Sequence, residues 1–148
     1  MKYSEVKQGR IFIIRLEDGE IVHEEIEKFA RDNSVKAAAL IMVGVADKGS
    51  CLVVGPEKER AMPVDILRHI LENVHEATGT GTIFPDEQGN PILHAHMACG
   101  RETSTITGCI REGIKVWHVM EIILIELLES SAKRVLDSKA GLKFLEVI

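Results

Sequence analysis

From residue 20 to 33 the apolar side chains Val22, Ile26, Phe29 and Ala30 recur at helical spacing, with Glu24, Glu27, Lys28 and Arg31 on the opposite side. The pattern predicts an amphipathic helix that covers one face of a sheet, its early acids complementing the helix dipole. Ahead of it, the apolar run at residues 11–16 predicts a strand, and Asp18-Gly19 supplies a turn or cap. Residues 35–46 and 51–54 are apolar and flank Asp47-Lys48-Gly49, which reads as two strands around a tight turn.

Further on the periodicity is mixed. Residues 56–63 are charged and loop-like. In 64–74, Val64 and Ile66 permit a strand, but Val64, Leu67, Leu71 and Val74 fit a short helix better, and a helix is predicted. Gly79 and Gly81 make helix unfavourable across HEATGTGTIF at 75–84, and PDEQGNP at 85–91 is a turn-rich loop. Residues 93–100 alternate as a strand does, and 116–127 is rich in β-branched residues and long enough for a central strand. A short polar segment follows Ser130-Ser131, and 142–147 predicts a terminal strand. With no repeat, low-complexity tract or linker, the expected architecture is α+β. It is a single domain over 1–148, with a mixed or antiparallel sheet covered by few helices.

Composition narrows the class. The chain has 148 residues, 45% hydrophobic and 28% charged, which suits one soluble globular domain. No apolar run reaches the roughly 18 to 20 residues that span a bilayer, since Lys115, His118, Glu121 and Glu126 interrupt residues 114–128. The opening MKYSEVKQGR lacks the apolar core of a secretory signal, so no membrane association and a cytoplasmic location are expected. Cys51, Cys99 and Cys109, an odd and sparse set, suggest reduced thiols. The net charge is −5, and residues 1–97 hold 11 Lys and Arg against 16 Asp and Glu. Residues 98–148 hold 7 of each, so no cation cluster of the kind that displaces counterions from DNA is present, and direct nucleic-acid binding is not expected.

His94-Ala95-His96 is the most specific local feature. On a strand, residues two apart project to the same face, so both imidazoles stand close enough to share one cation. The plainer reading is two histidines hydrogen-bonded at a polar face. Cys109 follows thirteen residues after His96, beyond the polar turn RETSTIT, where a returning strand brings it beside the pair, and Gly108 permits close backbone approach. His94, His96 and Cys109 then form a three-ligand set for zinc or a similar divalent metal, with a fourth position open. Taken alone, Cys109 reads as a core thiol. His23, His69, His75 and His118 read as structural or partly solvated. Glu121, in an apolar strand, calls for a partner such as Arg101 or Arg111 unless it faces water. GTGT at 79–82 is no Walker loop, no Gly-x-Ser-x-Gly elbow occurs, and Ser104 and Thr105 have no evident base.

Taken in order, GRIFIIRLEDGE, the helix after it, GTGTIFPDEQGNPILHAHMACGRE, TGCIREG and VWHVMEIILIEL resemble the plant-and-prokaryote conserved (PPC) domain, in its stand-alone archaeal and bacterial form. The resemblance covers roughly residues 8–128 and is most specific over 79–113. It implies a sheet-based α/β fold and a homotrimer. Prokaryotic members commonly pair His-x-His with a Gly-Gly-His on the next strand. Here Thr107-Gly108-Cys109 stands in that place, so Cys109 replaces the third histidine. The AT-hook core Arg-Gly-Arg of plant members is absent, and their partner-binding segment would fall at 72–77, which here reads Glu-Asn-Val-His-Glu-Ala.

Three functions compete at this stage. The first is a homotrimeric binding or assembly module with a metal near the subunit interface, open to a small-molecule ligand. The second is a metal-dependent hydrolase using metal-bound water, with Glu102 or Glu121 as nearby acids. The third is a DNA-binding regulator, as many family members are described. The first is preferred, because no nucleophile or cofactor loop is present and the charge opposes DNA.

Overall fold

In the computed structural model, which describes residues 1–147, ten strands and one helix follow one another. They are β1 (Lys7–Glu17), α1 (Val22–Asp32), β2 (Ala38–Ala46), β3 (Cys51–Pro56), β4 (Ile66–Ile70), β5 (His75–Pro85), β6 (Pro91–Arg101), β7 (Ser104–Cys109), β8 (Val116–Leu128), β9 (Lys133–Asp137) and β10 (Leu142–Glu146). Eight strands form one sheet in the order β1-β8-β2-β5-β6-β7-β3-β4, every neighbour antiparallel, and β9 and β10 form a separate hairpin. No helix among the described residues is long and apolar enough to cross a membrane.

Helix α1 forms where the apolar spacing predicts it, and Val22, Ile26 and Ala30 are fully buried against the sheet. Ile21 gives its N-terminus no side-chain cap, so burial of this stripe carries the helix, at about 1.5–3 kcal/mol for each large aliphatic side chain. Beneath it lie Leu40 and Met42 of β2, Ala95 and Met97 of β6, and Met120, Ile122 and Leu124 of β8. Strand alternation sends the next residues to the other face, which the β9–β10 hairpin covers at its Thr82 and Phe84 end and which is otherwise open among the described residues.

Four expectations change. Residues 64–74 contain strand β4, not a helix: Leu71 alone of the proposed stripe is buried, and backbone pairing with the otherwise open edge of β3 outweighs a weak helical spacing. Residues 35–46 and 51–54 are strands, but not partners. Strand β2 lies between β8 and β5, while β3 lies between β7 and β4. RETSTIT is mostly strand, its turn confined to Glu102 and Thr103. The polar segment after Ser131 holds β9.

One carboxylate is buried in β8, and it is Glu126 instead of Glu121. Arg10 grips it through Nε to Oε2 and Nη2 to Oε1, both at 2.7 Å, fastening β1 to β8. Glu121 is exposed, opposite Arg15 in the ladder. Arg101 donates to the Val74 carbonyl, and Arg111 to Cys109, so neither is its partner.

Candidate metal centre

Strand β6 pairs with β5 on one side and β7 on the other, and its register sets the site. His96 faces Thr80 on β5 and Cys109 on β7, while His94 faces Thr82. Alternation along β6 buries Leu93, Ala95 and Met97 in the core and turns His94 and His96 to the open face. The two rings stand 5.1 Å apart between centroids, nearly perpendicular at 81°. One ligand atom each from His94, His96 and Cys109 lies within 4.8 Å of the other two.

Cys109 is placed by a close approach of two strands. At Gly108 a Cβ would lie 2.6 Å from the Val53 carbonyl oxygen, so only glycine lets β7 meet β3 there. Across the β5–β6 ladder, a Cβ on Gly81 would lie 2.5 Å from that of Ala95, which accounts for a small residue beside the histidine strand.

Burial, and then the charges of Arg134 and Arg111, lower the His94 pKa. Burial, His94 and Arg111 lower that of His96. Both rings are thereby favoured in the neutral form that offers a lone pair to a metal. Two neutral imidazoles and a thiol on one face are a donor set that fits a zinc-like ion. The other cysteines differ: burial raises the Cys51 pKa and pushes Cys99 up to about 11, as befits core thiols.

Two cavities meet at the cluster. One, of about 550 Å³, opens on the sheet face and is lined by His94, His96, Thr80, Thr82, Ile41 and Ile123. The other, of about 370 Å³, is lined by His94 and Cys109 together with Arg111 and Arg134. The guanidinium Nε of Arg111 donates to Cys109 Sγ at 3.2 Å. Arg134 was not singled out from the sequence, and Arg111 only as a possible partner of Glu121. The place of Arg111 two residues from Cys109 was a further signal; Arg134 carried none, because β9, which delivers it, lies in the short polar segment.

The remaining candidates lie elsewhere. His69 is exposed on β4, and His75 Nδ1 is 2.7 Å from the Asn73 carbonyl oxygen. A bulge with φ of 63° turns His118 out to solvent beside Trp117, and its backbone N–H donates to Asp18 Oδ1. Glu102 is in the β6–β7 turn, six residues or about 20 Å along the strand from His96. Glu121 lies three strands from β6, about 14 Å away. Neither acid stands beside the cluster.

An open-faced antiparallel sheet backed by one helix, with a His-x-His strand and a cysteine across from it, defines a family-level class. The profile of the Plants and Prokaryotes Conserved (PCC) domain matches residues 3–128, and the chain belongs to that family. It is similar to a plant- and prokaryote-conserved protein of Pyrococcus horikoshii, at 25% identity and a TM-score of 0.84, over 100% of this chain and 99% of that one. A metal-containing protein of Archaeoglobus fulgidus matches at 21% identity and a TM-score of 0.83, over 99% of both chains. A protein of Ralstonia eutropha named as a candidate DNA-binding protein matches at 22% identity and a TM-score of 0.73, over 92% of this chain and 90% of that one. The last two likenesses speak for the fold alone. No curated protein matches the chain significantly.

Proposed function

We propose that the protein is a cytoplasmic, homotrimeric binding module that holds a zinc-like divalent ion on His94, His96 and Cys109. The observation that carries the metal reading is the convergence of the three donor atoms within 4.8 Å of one another. When bound, the ion supplies a Lewis-acid centre with an open position. The chain's own residues orient it: β6 fixes the two rings, Gly108 lets Cys109 approach, and Arg111 holds the sulfur from the side.

Assembly is supported by the open sheet face. The ladder row that begins at Cys109 and His96 continues through Thr80, Ile41, Ile123 and Ile13. Ile13 is 89% exposed, and Ile41, Ile123, Val43 and Ile11 are exposed around it. Such a contiguous apolar surface favours burial against other copies. On this reading the cluster lies at the rim of the contact.

Hydrolysis is the weaker reading, because Glu102 and Glu121 stand too far from the cluster to act as general base. Direct duplex binding is no part of the proposed role, given the net charge of −5. Native mass spectrometry with elemental analysis, on untagged wild type and His96→Ala, tests the reading. A trimer with about one metal per chain, lost in the variant, supports it. A metal-free species, or a monomer, overturns the corresponding half.

A further inference from the structure

The cavity behind His94 and Cys109 has an electrostatic imbalance that the metal reading leaves unexplained. Arg134 is 5% exposed, yet among the described residues no carboxylate pairs with it. Its Nη2 donates to Thr82 Oγ1 at 2.8 Å, its guanidinium carbon lies 5.8 Å from the Phe84 ring centroid, and its Nε has no partner. Arg111, on the same cavity wall, has only the sulfur of Cys109. His23 Nδ1, also buried without a partner, lines the cavity too.

The neighbouring charges do not cancel this pair. Lys143 is committed to Asp86 at 3.0 Å and reaches Glu87 at 3.9 Å. Glu27 lines the cavity, but its Oε1 accepts the Leu93 N–H at 2.9 Å, and it makes no ion pair with either arginine. A buried, unpaired guanidinium is costly, so the arrangement calls for an anion from outside the chain. Planar guanidinium groups suit an oxyanion with two acceptor oxygens, and 370 Å³ accommodates a small molecule that carries one.

We propose that this cavity is an oxyanion-binding site, in which Arg111 and Arg134 hold the phosphate or carboxylate group of a small molecule beside His94 and Cys109. As a statement of substrate class for the metal centre, this rests on the reading above. As a statement of anion binding, it stands without the metal.

Calorimetric titration of the full-length, untagged, chelator-treated protein with inorganic phosphate, and separately with malonate, tests the site at constant ionic strength set by chloride. Saturable binding of either anion at one per chain is expected, and the tighter one identifies the chemistry. Arg111→Ala, at an exposed position, and Arg134→Lys, which keeps charge but loses the fork, should each weaken it by about tenfold or more. Arg111→Ala keeps the test decisive if Arg134→Lys fails to fold. Absence of saturable binding in the wild type, or undiminished binding in Arg111→Ala, overturns the proposal. His96→Ala separates the two readings, because His96 does not line this cavity: it should lose zinc, read by elemental analysis, and still bind the anion.

Discussion

Cys109 stands directly across the β6–β7 ladder from His96, and its sulfur is the one donor of the cluster that is buried. The thiol thus forms the floor of the site and the imidazoles its walls. Cys109→Ser should lower zinc affinity at least tenfold, since a neutral hydroxyl is a poor ligand, whereas Cys109→His should retain a bound ion. Competition with a chromophoric chelator reads both, and equal affinity for wild type and serine variant would remove Cys109 from the ligand set.

Gly81 is a second point of control. An added methyl must push against the Ala95 Cβ, the His94 carbonyl oxygen at 2.9 Å and the Ala95 Cα at 3.0 Å. Two of those three contacts are backbone and cannot swing aside. Gly81→Ala should therefore cost about 1–3 kcal/mol in urea denaturation and displace the histidine strand. An unchanged midpoint would mean that β5 and β6 separate more freely than their register implies.

Acid should loosen the Asp86 anchor of the C-terminal hairpin. Asp86 is 4% exposed; burial raises its pKa, but Lys143 and the N–H groups of Asn90 and Gln88 outweigh that and hold it at about 2, below the ordinary 3.8. A carboxylate depressed in the folded state stabilises fully above the unfolded value, and its contribution fades as pH falls from 3.8 through about 2. Asp86→Asn should be destabilised by about 1–3 kcal/mol at neutral pH, and the gap to wild type should close across that window. A gap that is constant with pH would assign the effect to packing instead of charge.

The open face gives a prediction about assembly. Ile123→Glu places a charge in the middle of the row from His96 to Ile13, where burial against another chain would leave it unpaired. Light scattering should report dissociation to monomers, with far-ultraviolet circular dichroism unchanged because the side chain lies outside the core. A persistent trimer would place the contact elsewhere.

Much of this was legible because strand alternation and helix spacing are local properties. The stripe of α1, the long strand β8 and the shared face of His94 and His96 follow from periods of 3.6 and 2. What failed was long-range. Nothing in residues 64–74 says that the edge of β3 needs a partner, and nothing near Glu126 says that Arg10, 116 positions earlier, neutralises it. Likewise Glu121, the acid that looked out of place, faces solvent, because the alternation that buries Met120 and Ile122 turns it outward.

The hairpin of β9 and β10 begins after residue 128, where the match to the family profile ends, and it brings in Arg134. The three candidate metal ligands and one of the two cations beside them are therefore carried on separate lengths of chain. Replacing residues 133–146 with another hairpin that keeps the Asp86 anchor would change which molecule is retained while leaving the three donors in place. In the proposed anion site, selectivity would in effect be an exchangeable cartridge, plugged into a fixed socket.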